Sequence, residues 1–341
     1  MSPPTVTAVI PTYRRPALLR RAIESVLRQT YPHLTVAVFD NASGDETPHV
    51  VGEIARRDPR VRYHCHPSNL GAVANFQAGM DSVRTPYFSI LSDDDVLLPR
   101  FYEHAFSCLA RHPGASFFCG LAVWYDPALG THRLHPNGTW REGLYRAGEA
   151  TTQMVEELFL WTGALFATDV RDQAGPLEAI EASDILFMAK AAAHFSFLVS
   201  MVPCAIFSAW KGNTFRRMPP EEAARSFRVT ADRLAALPVV SPAEAARIES
   251  ILEEHLYRLM RGRLRASHLV QDWRSFLRDF RFLTSRGNVS FKQKIRLLRR
   301  AAKGYLQAHL NQRALRTGAE VSPSIDDLVR IYSAPGIPTN E

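Results

Sequence analysis

The first half of the chain alternates short runs of β-branched residues with segments of helical periodicity. The strand-like runs are TVTAVI, LTVAVFD, VRYHCH and YFSILSD, and the helical segments between them are RPALLRRAIESVLRQT, DETPHVVGEIARR and GAVANFQAGMDSV. Strands separated by helices in this way form right-handed βαβ crossovers, which place helices on both faces of a mostly parallel sheet. The alternation therefore predicts a doubly wound α/β fold.

The character of the sequence changes near residue 216. From there the segments PPEEAARSF, SPAEAARIESILEEHLYRLMRGRL and DWRSFLRDFRFLTSRG are rich in alanine and arginine and have helical periodicity. A chain of 341 residues is long for one compact domain. We therefore expect an α/β domain over residues 1–215 and a basic α-helical domain over residues 216–341.

Polar clusters follow all four predicted strands. They are PTYRR, DNASGD, HPSNLG and SDDD, in chain order. In an open α/β sheet, ligands bind outside the carboxyl ends of the strands. The sequence therefore predicts a ligand site at this edge of the sheet.

The last of these clusters contains three consecutive aspartates, Asp93, Asp94 and Asp95. Neighbouring carboxylates raise the free energy of ionising one another unless a cation lies among them. Oxygen ligands suit Mg²⁺ or Mn²⁺ bridged to phosphate oxygens. An aspartate that caps the following helix would give the same pattern. Asp40, at the end of the second strand, adds an acidic group to the same edge and favours a metal site.

Charge and composition limit the partners and the compartment. A net charge of +7 and a pI near 9.4 indicate an acidic partner, such as nucleic acid, an anionic membrane surface or a phosphorylated substrate. The four cysteines form no C-x-x-C pair, and His64 and His66 have no further ligand at suitable spacing, so we expect no zinc site. We see no leader sequence and no apolar run of about 20 residues, and expect a cytoplasmic protein.

Several blocks of the sequence together resemble the inverting glycosyltransferases of family 2, which have the GT-A fold. In the family's order and spacing they are AVIPTYRRPALLRRAIESVLRQTYPHLTVAVFDNASGDET, NLGAVANFQAGM and ILSDDDVLLP. The resemblance covers roughly residues 5–215. It implies transfer of a sugar from a nucleotide-diphosphate sugar, with a UDP-sugar favoured, to a glycan, lipid-linked or small-molecule acceptor. It also implies Mg²⁺ or Mn²⁺ as cofactor. The Q-x-x-R-W motif of the processive members is absent, so we expect one sugar per encounter.

The resemblance assigns nucleotide-binding roles by position. They fall on Pro11, Thr12, Tyr13, Asp40, Asn69, Gly71, Asn75 and Asp93. Asp94 is expected to contact the sugar hydroxyls or the metal, and Asp95 the metal. Many relatives carry D-x-D-D, and Ser92 stands where they have the first aspartate. The sequence therefore leaves open which carboxylates bind the ion.

The family also places an acidic base downstream of the aspartates, after a segment resembling GALF and a Gly-Pro turn. In WTGALFATDVRDQAGPLEAIEASDILFMAKAAAHF, Asp184 occupies that position at the start of a predicted helix. As a general base it would deprotonate the acceptor hydroxyl in a single inverting displacement. An aspartate that only compensates the helix dipole would look the same. Glu181, Asp169 and Asp172 are the substitutes.

The segment FSAWKGNTFRR occupies the place of the family's phosphate-contacting loop, with Trp210 in the position of a histidine. Lys211 is the expected phosphate contact, with Arg216 and Arg217 as alternatives. A basic surface loop would have the same composition.

Trp161 is a candidate for stacking on the acceptor, although packing near the sheet is the commoner role of a single tryptophan. Residues 120–175, where acceptor specificity is expected, contain no recognised pattern.

Residues 255–316 form a basic tail. The segment VSFKQKIRLLRRAAKGYLQAHL predicts an amphipathic helix with a cationic face, which either lies on an anionic membrane or packs against the catalytic domain; the sequence favours packing.

Two other functional classes remain as alternatives for the protein. A nucleotidyltransferase or phosphohydrolase is disfavoured because the G-x-x-x-x-G-K-[ST] loop is absent. A nucleic-acid-binding protein is disfavoured because the tail's aromatics fall at helical core spacing.

Overall fold

The computed structural model describes residues 3–127, 130–136, 138–180, 182–209, 218–269, 273–285 and 323–333. Its first seven elements coincide with the predicted alternation. They are β1 (Val6–Thr12), α1 (Pro16–Leu27), β2 (Leu34–Asp40), α2 (Thr47–Arg57), β3 (Val61–Cys65), α3 (Ala72–Asp81) and β4 (Tyr87–Ile90).

The remaining elements of the α/β part complete the sheet and its flanking helices. They are β5 (Val96–Leu97), α4 (Phe101–Arg111), β6 (Phe117–Asp126), β7 (Thr131–His135), β8 (Gly143–Tyr145), α5 (Thr151–Glu156), a 3₁₀ turn (Trp161–Gly163), β9 (Ala164–Ala167), α6 (Thr168–Ala174), α7 (Ser183–His194) and β10 (Phe197–Ser208). The C-terminal helices are α8 (Pro220–Ala235), α9 (Pro242–Leu269), α10 (Trp273–Ser285) and α11 (Ile325–Ser333).

The strands form one sheet in the order β3-β2-β1-β4-β9-β6-β10-β5, with β7 beside β6 and β8 beside β10. β1 to β4 are mutually parallel, as are β6 and β10. The antiparallel strands β5, β7, β8 and β9 are two to five residues long. The prediction of a GT-A-type α/β sheet flanked by helices is confirmed.

The alternation of side chains along β1 explains why both faces of the sheet are covered. Ala8 and Ile10 point into an apolar cluster with Leu19 of α1, whereas Val9 points into a second cluster with Met80 of α3 and Met188 of α7. Every residue of β1 is buried. A strand with two buried faces has no polar alternation, which is why it reads as a continuous apolar run.

The helices after residue 218 pack against the α/β part through a third apolar cluster. This cluster joins Leu186 of α7 to Phe227 of α8, Leu252 of α9 and Phe276 of α10. The expected helical C-terminal region is therefore present, and it shares a core with α7. The domain boundary at residue 215 stays a prediction. The amphipathic segment from 289 to 310 lies outside the described residues.

The helices that the structure describes differ from membrane-spanning helices. None of them combines the length and the apolar content that crossing a bilayer requires.

Candidate active site

The carboxyl ends of β1, β2 and β4 meet at one edge of the sheet. Thr12 stands opposite Asp40 in the parallel register of β1 and β2. The chain leaving β4 returns to this edge, where Thr12 Oγ1 donates a 2.7 Å hydrogen bond to Asp93 Oδ2. The predicted clusters after the first, second and fourth strands therefore lie together.

Two neighbouring loops form one side of this edge. The amide of Arg14 donates to Ser43 Oγ at 2.8 Å, and its Nε donates to the Ser43 carbonyl at 3.1 Å. Arg14 and Ala42 have φ angles of 55° and 58°, in the left-handed region that side-chain-bearing residues rarely adopt. The Arg14 guanidinium lies 5.0 Å from the centre of the exposed Tyr13 ring. Tyr13 thus presents an aromatic face to solvent beside the strand ends.

Asp40 is fully buried, and both of its carboxylate oxygens accept hydrogen bonds. Tyr63 Oη donates to Oδ2 at 2.6 Å, and the amide of Ser43 donates to Oδ1 at 2.9 Å. Burial and the neighbouring carboxylate raise the pKa of the Tyr63 phenol, which keeps it a donor. Tyr63 was not expected from the sequence, because a tyrosine in a strand usually indicates packing. These two bonds hold the Asp40 carboxylate in place. A nucleoside base that bound Asp40 would have to donate to an oxygen that already accepts from Tyr63 or from the Ser43 amide.

The loop after β3 is fixed by side-chain amides. Asn41 Nδ2 donates to Asn69 Oδ1 and to the Gly71 carbonyl, both at 3.1 Å, while the Leu70 amide donates to Asn41 Oδ1 at 2.8 Å. Gly71 has a φ of 85° directly before α3, a conformation that glycine adopts without strain. Asn69 and Gly71 thus shape this loop beside Asn41 of the second strand end.

Asn75 is buried behind the same edge. Its Nδ2 donates to the Phe39 carbonyl at 2.9 Å, and its Oδ1 lies 3.0 Å from His66 Nε2. His66 is buried, and its ring contacts Asn75 behind the edge of the sheet. Asn75 therefore positions the ends of β2 and β3 from behind the edge.

Asp93 and Asp94 share one cation. Arg15 Nη1 lies 3.1 Å from Asp93 Oδ1 and 2.9 Å from Asp94 Oδ2. Burial raises the pKa of Asp93 to about 6, against the opposing effect of the Arg15 charge. Burial also raises the pKa of Asp94, whose side chain keeps 17% of its surface exposed. Arg15 was not expected from the sequence, because one arginine among many in a basic chain carries no distinguishing pattern.

Asp95 lies deeper than its neighbours and has no exposed surface. Its Oδ2 accepts a 2.6 Å hydrogen bond from Thr162 Oγ1, and its Oδ1 accepts a 2.9 Å hydrogen bond from the Ser208 amide. Burial, with a further contribution from the charge of Asp94, raises its pKa well above the usual range. The expected metal contact of Asp95 stays a prediction, and both oxygens already have protein donors.

A second guanidinium supports the aspartates from α1. Arg21 Nη2 donates to the Asp94 carbonyl at 3.0 Å, and Arg21 Nε is buried without a hydrogen-bond partner in the described part of the chain. Burial lowers the pKa of Arg21, although the charges of Asp95 and Asp94 oppose this effect. The turn that carries the aspartates is thus held by its backbone as well as by its side chains.

Asp93 and Asp94 are the side chains available to a divalent metal ion at this edge. Within the ranges that the structure describes, no three His, Cys, Asp or Glu side chains converge as metal ligands. Mg²⁺ and Mn²⁺ are often held by one or two carboxylates, with phosphate oxygens of a substrate completing the coordination. Burial makes Asp93 and Asp94 costly to ionise, and a divalent cation would reduce that cost. The residues therefore fit a metal that arrives with a diphosphate.

Asp184 is the second residue of α7, so the predicted helix start is confirmed. Its Oδ1 accepts a 2.8 Å hydrogen bond from the Ile185 amide. Burial raises the pKa of this carboxyl group to about 6. A carboxylate with a pKa near neutrality suits a general base. No hydrogen bond among the described residues joins Asp184 to the aspartates after β4.

The substitutes for Asp184 have different surroundings. Asp172 forms a 2.6 Å ion pair with Arg171 on α6, and Asp169 lies in the first turn of the same helix. Glu181 lies outside the described residues. Asp184 has no ion-pair partner among the residues described, which distinguishes it from Asp172.

Two further predictions concern the rim of the site. Lys211, its alternatives Arg216 and Arg217, and Trp210 all lie outside the described residues, so the phosphate contact stays a prediction. Trp161 stacks on Phe76 with ring centroids 5.0 Å apart, which is the packing role expected of it. Stacking of Trp161 on an acceptor stays a prediction.

Comparison with known proteins places this geometry in a family. Residues 7–171 match the family model described as glycosyl transferase family 2. A Campylobacter jejuni protein named GalNAc(5)-diNAcBac-PP-undecaprenol beta-1,3-glucosyltransferase is 32% identical over 96 residues, or 28% of this chain and 31% of that protein. The succinoglycan biosynthesis protein ExoO of Rhizobium meliloti is 36% identical over 96 residues, or 28% of this chain and 27% of that protein. The chain thus aligns with about a third of the length of these relatives.

Solved structures resemble the chain over most of its length. Residues 1–349 of S. aureus TarS, solved in complex with UDP-GlcNAc, superpose with a TM-score of 0.57 at 17% identity, covering 96% of this chain and 88% of that one. The mannosyltransferase PcManGT of Pyrobaculum calidifontis, solved with GDP-Man and Mn²⁺, gives a TM-score of 0.53 at 16% identity, covering 92% and 88%. At this identity the likeness establishes the fold. Residues 7–171, which include the strands that carry the aspartates, form a glycosyl transferase family 2 domain.

Proposed function

We propose that this chain is an inverting, non-processive glycosyltransferase that moves a sugar from a nucleotide-diphosphate sugar to an acceptor hydroxyl. The hydrogen bond between Thr12 and Asp93 carries the proposal, because it joins the expected nucleoside pocket to the aspartates at a single edge of the sheet. A UDP-sugar is favoured as donor, in keeping with the UDP-GlcNAc complex of TarS. A glycan or lipid-linked acceptor agrees with the name of the Campylobacter relative.

On the donor side, Pro11, Thr12 and Tyr13 would line the nucleoside pocket, and the fixed Asp40 carboxylate would accept a hydrogen bond from the base. Asn69 and Gly71 would hold the loop near the nucleotide, with Asn75 behind it. These assignments agree with the tight backbone of this edge, where Arg14 and Ala42 have positive φ angles. Strained backbone of this kind is often found where a ligand is held.

We assign direct contact with a divalent cation to Asp94, with Asp93 beside it on the sugar or the metal. Asp94 keeps an exposed part, whereas the two oxygens of Asp95 accept hydrogen bonds from Thr162 and Ser208. Asp95 would then stabilise the turn, or bind the metal only after exchanging one of those donors. A bound Mg²⁺ or Mn²⁺ would offset charge on the leaving diphosphate. The Mn²⁺ in the PcManGT complex agrees with this cofactor class.

Asp184 would act as the general base. Its carboxylate takes the proton of the acceptor hydroxyl while that oxygen forms a bond to the anomeric carbon on the face opposite the diphosphate. The bond from the anomeric carbon to the diphosphate oxygen breaks, and the nucleoside diphosphate leaves with the electron pair. One displacement inverts the configuration. The pKa of about 6 keeps Asp184 largely ionised at neutral pH and still basic enough to accept the proton.

A second candidate role is binding of residues 255–316 to an anionic membrane surface. The described part of this region includes α10, which exposes Arg274, Leu277 and Arg281 on its outer side. A cationic face with an apolar residue suits anionic lipid headgroups. Sedimentation with vesicles of neutral lipid, and of the same lipid with added anionic lipid, tests this role. Equal binding to both would exclude it.

The experiment that tests the main proposal is calorimetric titration of UDP, GDP and dTDP, with and without Mn²⁺. We expect one nucleotide to bind the wild type in a metal-dependent way, and Asp94→Asn to abolish the metal dependence. Asp184→Asn should bind that nucleotide as the wild type does, yet lose transfer of sugar to an acceptor. Absence of binding for all three nucleotides would overturn the proposal.

A further inference from the structure

One nitrogen atom stands between two carboxylates at the expected metal position. Arg15 Nη1 is 3.1 Å from Asp93 Oδ1 and 2.9 Å from Asp94 Oδ2. Arg15 immediately precedes α1, and its side chain is 39% exposed, compared with 7% for Asp93 and 17% for Asp94. The guanidinium therefore approaches the carboxylates from the more exposed side.

The same position cannot hold a metal and the guanidinium together. Asp93 Oδ1 and Asp94 Oδ2 are oxygens that would hold a divalent cation, and they are the atoms that Arg15 Nη1 now contacts. Entry of a metal would therefore displace Arg15. Displacement breaks two charge-assisted hydrogen bonds, which are among the stronger polar contacts in proteins.

We propose that Arg15 is an exchangeable counter-cation that couples metal binding to diphosphate binding. A metal that enters alone would break both hydrogen bonds of the guanidinium and supply no new acceptor for it. A metal entering with a nucleoside diphosphate would bring phosphate oxygens, which arginine binds in a bidentate way. This inference rests on the proposed function, and it names Arg15 as a positioning residue for the donor complex.

Coupling of this kind is reciprocal and measurable. If the diphosphate tightens metal binding by a given factor, the metal tightens nucleotide binding by the same factor, commonly about 5- to 150-fold. The neighbouring Arg20 provides a matched control. It lies on α1, pairs with Glu53 at 2.6 Å and is not among the described residues that contact the aspartates.

The test is titration of the full chain with MnCl₂, followed by calorimetry or by the electron paramagnetic resonance of free Mn²⁺, with and without saturating UDP, GDP or dTDP. For the wild type we expect Mn²⁺ to bind roughly 10-fold or more tightly with the matching nucleotide than alone. Arg15→Gln should bind Mn²⁺ alone more tightly than the wild type, and nucleotide should tighten its Mn²⁺ binding by a smaller factor than in the wild type, because only the direct contact between metal and phosphate remains. Arg20→Gln should behave as the wild type, and Arg15→Lys should retain part of the coupling.

The outcomes separate this inference from the proposed function. If Arg15→Gln binds Mn²⁺ alone no more tightly than the wild type, or if nucleotide tightens its Mn²⁺ binding by the full wild-type factor, the inference is wrong and the transferase proposal stands. If the wild type binds neither Mn²⁺ nor any of the nucleotides, both fail. Arg15→Lys keeps the positive charge but not the bidentate geometry, so it tests the inference if Arg15→Gln does not fold. A reduced effect of nucleotide on Mn²⁺ binding in a folded Arg15→Lys would support the inference, and an unchanged effect would overturn it.

Discussion

The hydroxyl of Thr162 donates a 2.6 Å hydrogen bond to Asp95 Oδ2 across a separation of 67 residues. Thr162 lies in the 3₁₀ turn before β9 and is 1% exposed. The bond joins this turn to the aspartates that follow β4. The Ser208 amide, at the end of β10, completes the contacts of the same carboxylate. Asp95 therefore lies where three distant segments of the chain meet.

Replacing Thr162 with valine should destabilise the fold. Valine has the same shape but no hydroxyl, so one oxygen of the buried Asp95 carboxylate would lose its donor, at a cost of about 1–3 kcal/mol in the free energy of unfolding. Urea denaturation measures this loss. Thr162→Ser keeps the hydroxyl and should lose less. Equal stability of the valine variant and the wild type would show that the bond contributes nothing net.

Asparagine substitutions should distinguish Asp94 from Asp95. Asp94→Asn should abolish the effect of Mn²⁺ on nucleotide binding and leave the melting temperature close to that of the wild type, because Asp94 is partly exposed. Asp95→Asn should alter the melting temperature more, because this side chain is fully buried between Thr162 and Ser208. Calorimetry with Mn²⁺ and thermal denaturation provide the two measurements. Loss of Mn²⁺ binding in a normally stable Asp95→Asn would make Asp95 a direct ligand.

The rate of transfer should fall at acid pH as Asp184 is protonated. With a pKa of about 6, the ionised fraction of this base decreases tenfold for each pH unit below that value. At saturating donor we therefore expect log kcat to decline with a slope of one below about pH 6. Asp93 titrates in the same range, so nucleotide affinity must be measured at each pH. A rate that stays constant down to pH 5 would exclude Asp184 as the base.

Asp184→Asn should make the protein more stable at neutral pH. The pKa of Asp184 is raised from 3.8 to about 6 in the folded protein, so folding disfavours its ionised form. Each unit of such a shift corresponds to about 1.4 kcal/mol, and a gain on the order of 1 kcal/mol is expected for a partly solvated side chain. The gain should be complete above about pH 6 and vanish below about pH 3.8, where the carboxyl is protonated in both states.

This stability measurement also separates the two interpretations of Asp184. A residue that serves the helix as a favourable first-turn charge would lose stability on substitution. A base kept in an unfavourable environment for its chemistry would gain stability and lose activity. A loss of stability at pH 7 would favour the purely structural role.

The α/β elements and the location of the site were predictable from local pattern. The strands around Val9 and Val38 have apolar runs bounded by turn residues, and the polar cluster at each strand end follows from the crossover rule. Asp184 at the start of α7 was predictable for the same reason, since helix starts have local signals.

The partners of the aspartates were not predictable in the same way. Arg15, Thr162 and Ser208 contact them from 67 to 113 residues away, and nothing in the local sequence of each marks the contact. The same holds for Arg263 and Asp279, which form a buried 2.9 Å ion pair between α9 and α10. The C-terminal region is rich in arginine, and the sequence does not indicate which of these arginines is buried. Side-chain pairing between distant segments depends on the packed structure.

The last helix of the described chain, α11, packs beside the aspartates and should stabilise them. Leu328 is fully buried in a cluster with Val96 and Leu98, which follow Asp95 closely in sequence, and Tyr125 Oη donates a 2.9 Å hydrogen bond to the Pro323 carbonyl just before the helix.

Leu328→Ala should therefore lower the free energy of unfolding by about 2–4 kcal/mol, because it leaves a cavity against β5. Ile331, on the same helix, is 50% exposed, and Ile331→Ala should change stability by less than about 0.5 kcal/mol. Since Val96 is the residue after Asp95, Leu328→Ala should also weaken metal-dependent nucleotide binding at a temperature where the variant is folded. Chemical denaturation and calorimetry of the two variants check both effects. Equal losses in the two variants would mean that α11 does not support the aspartates through this contact.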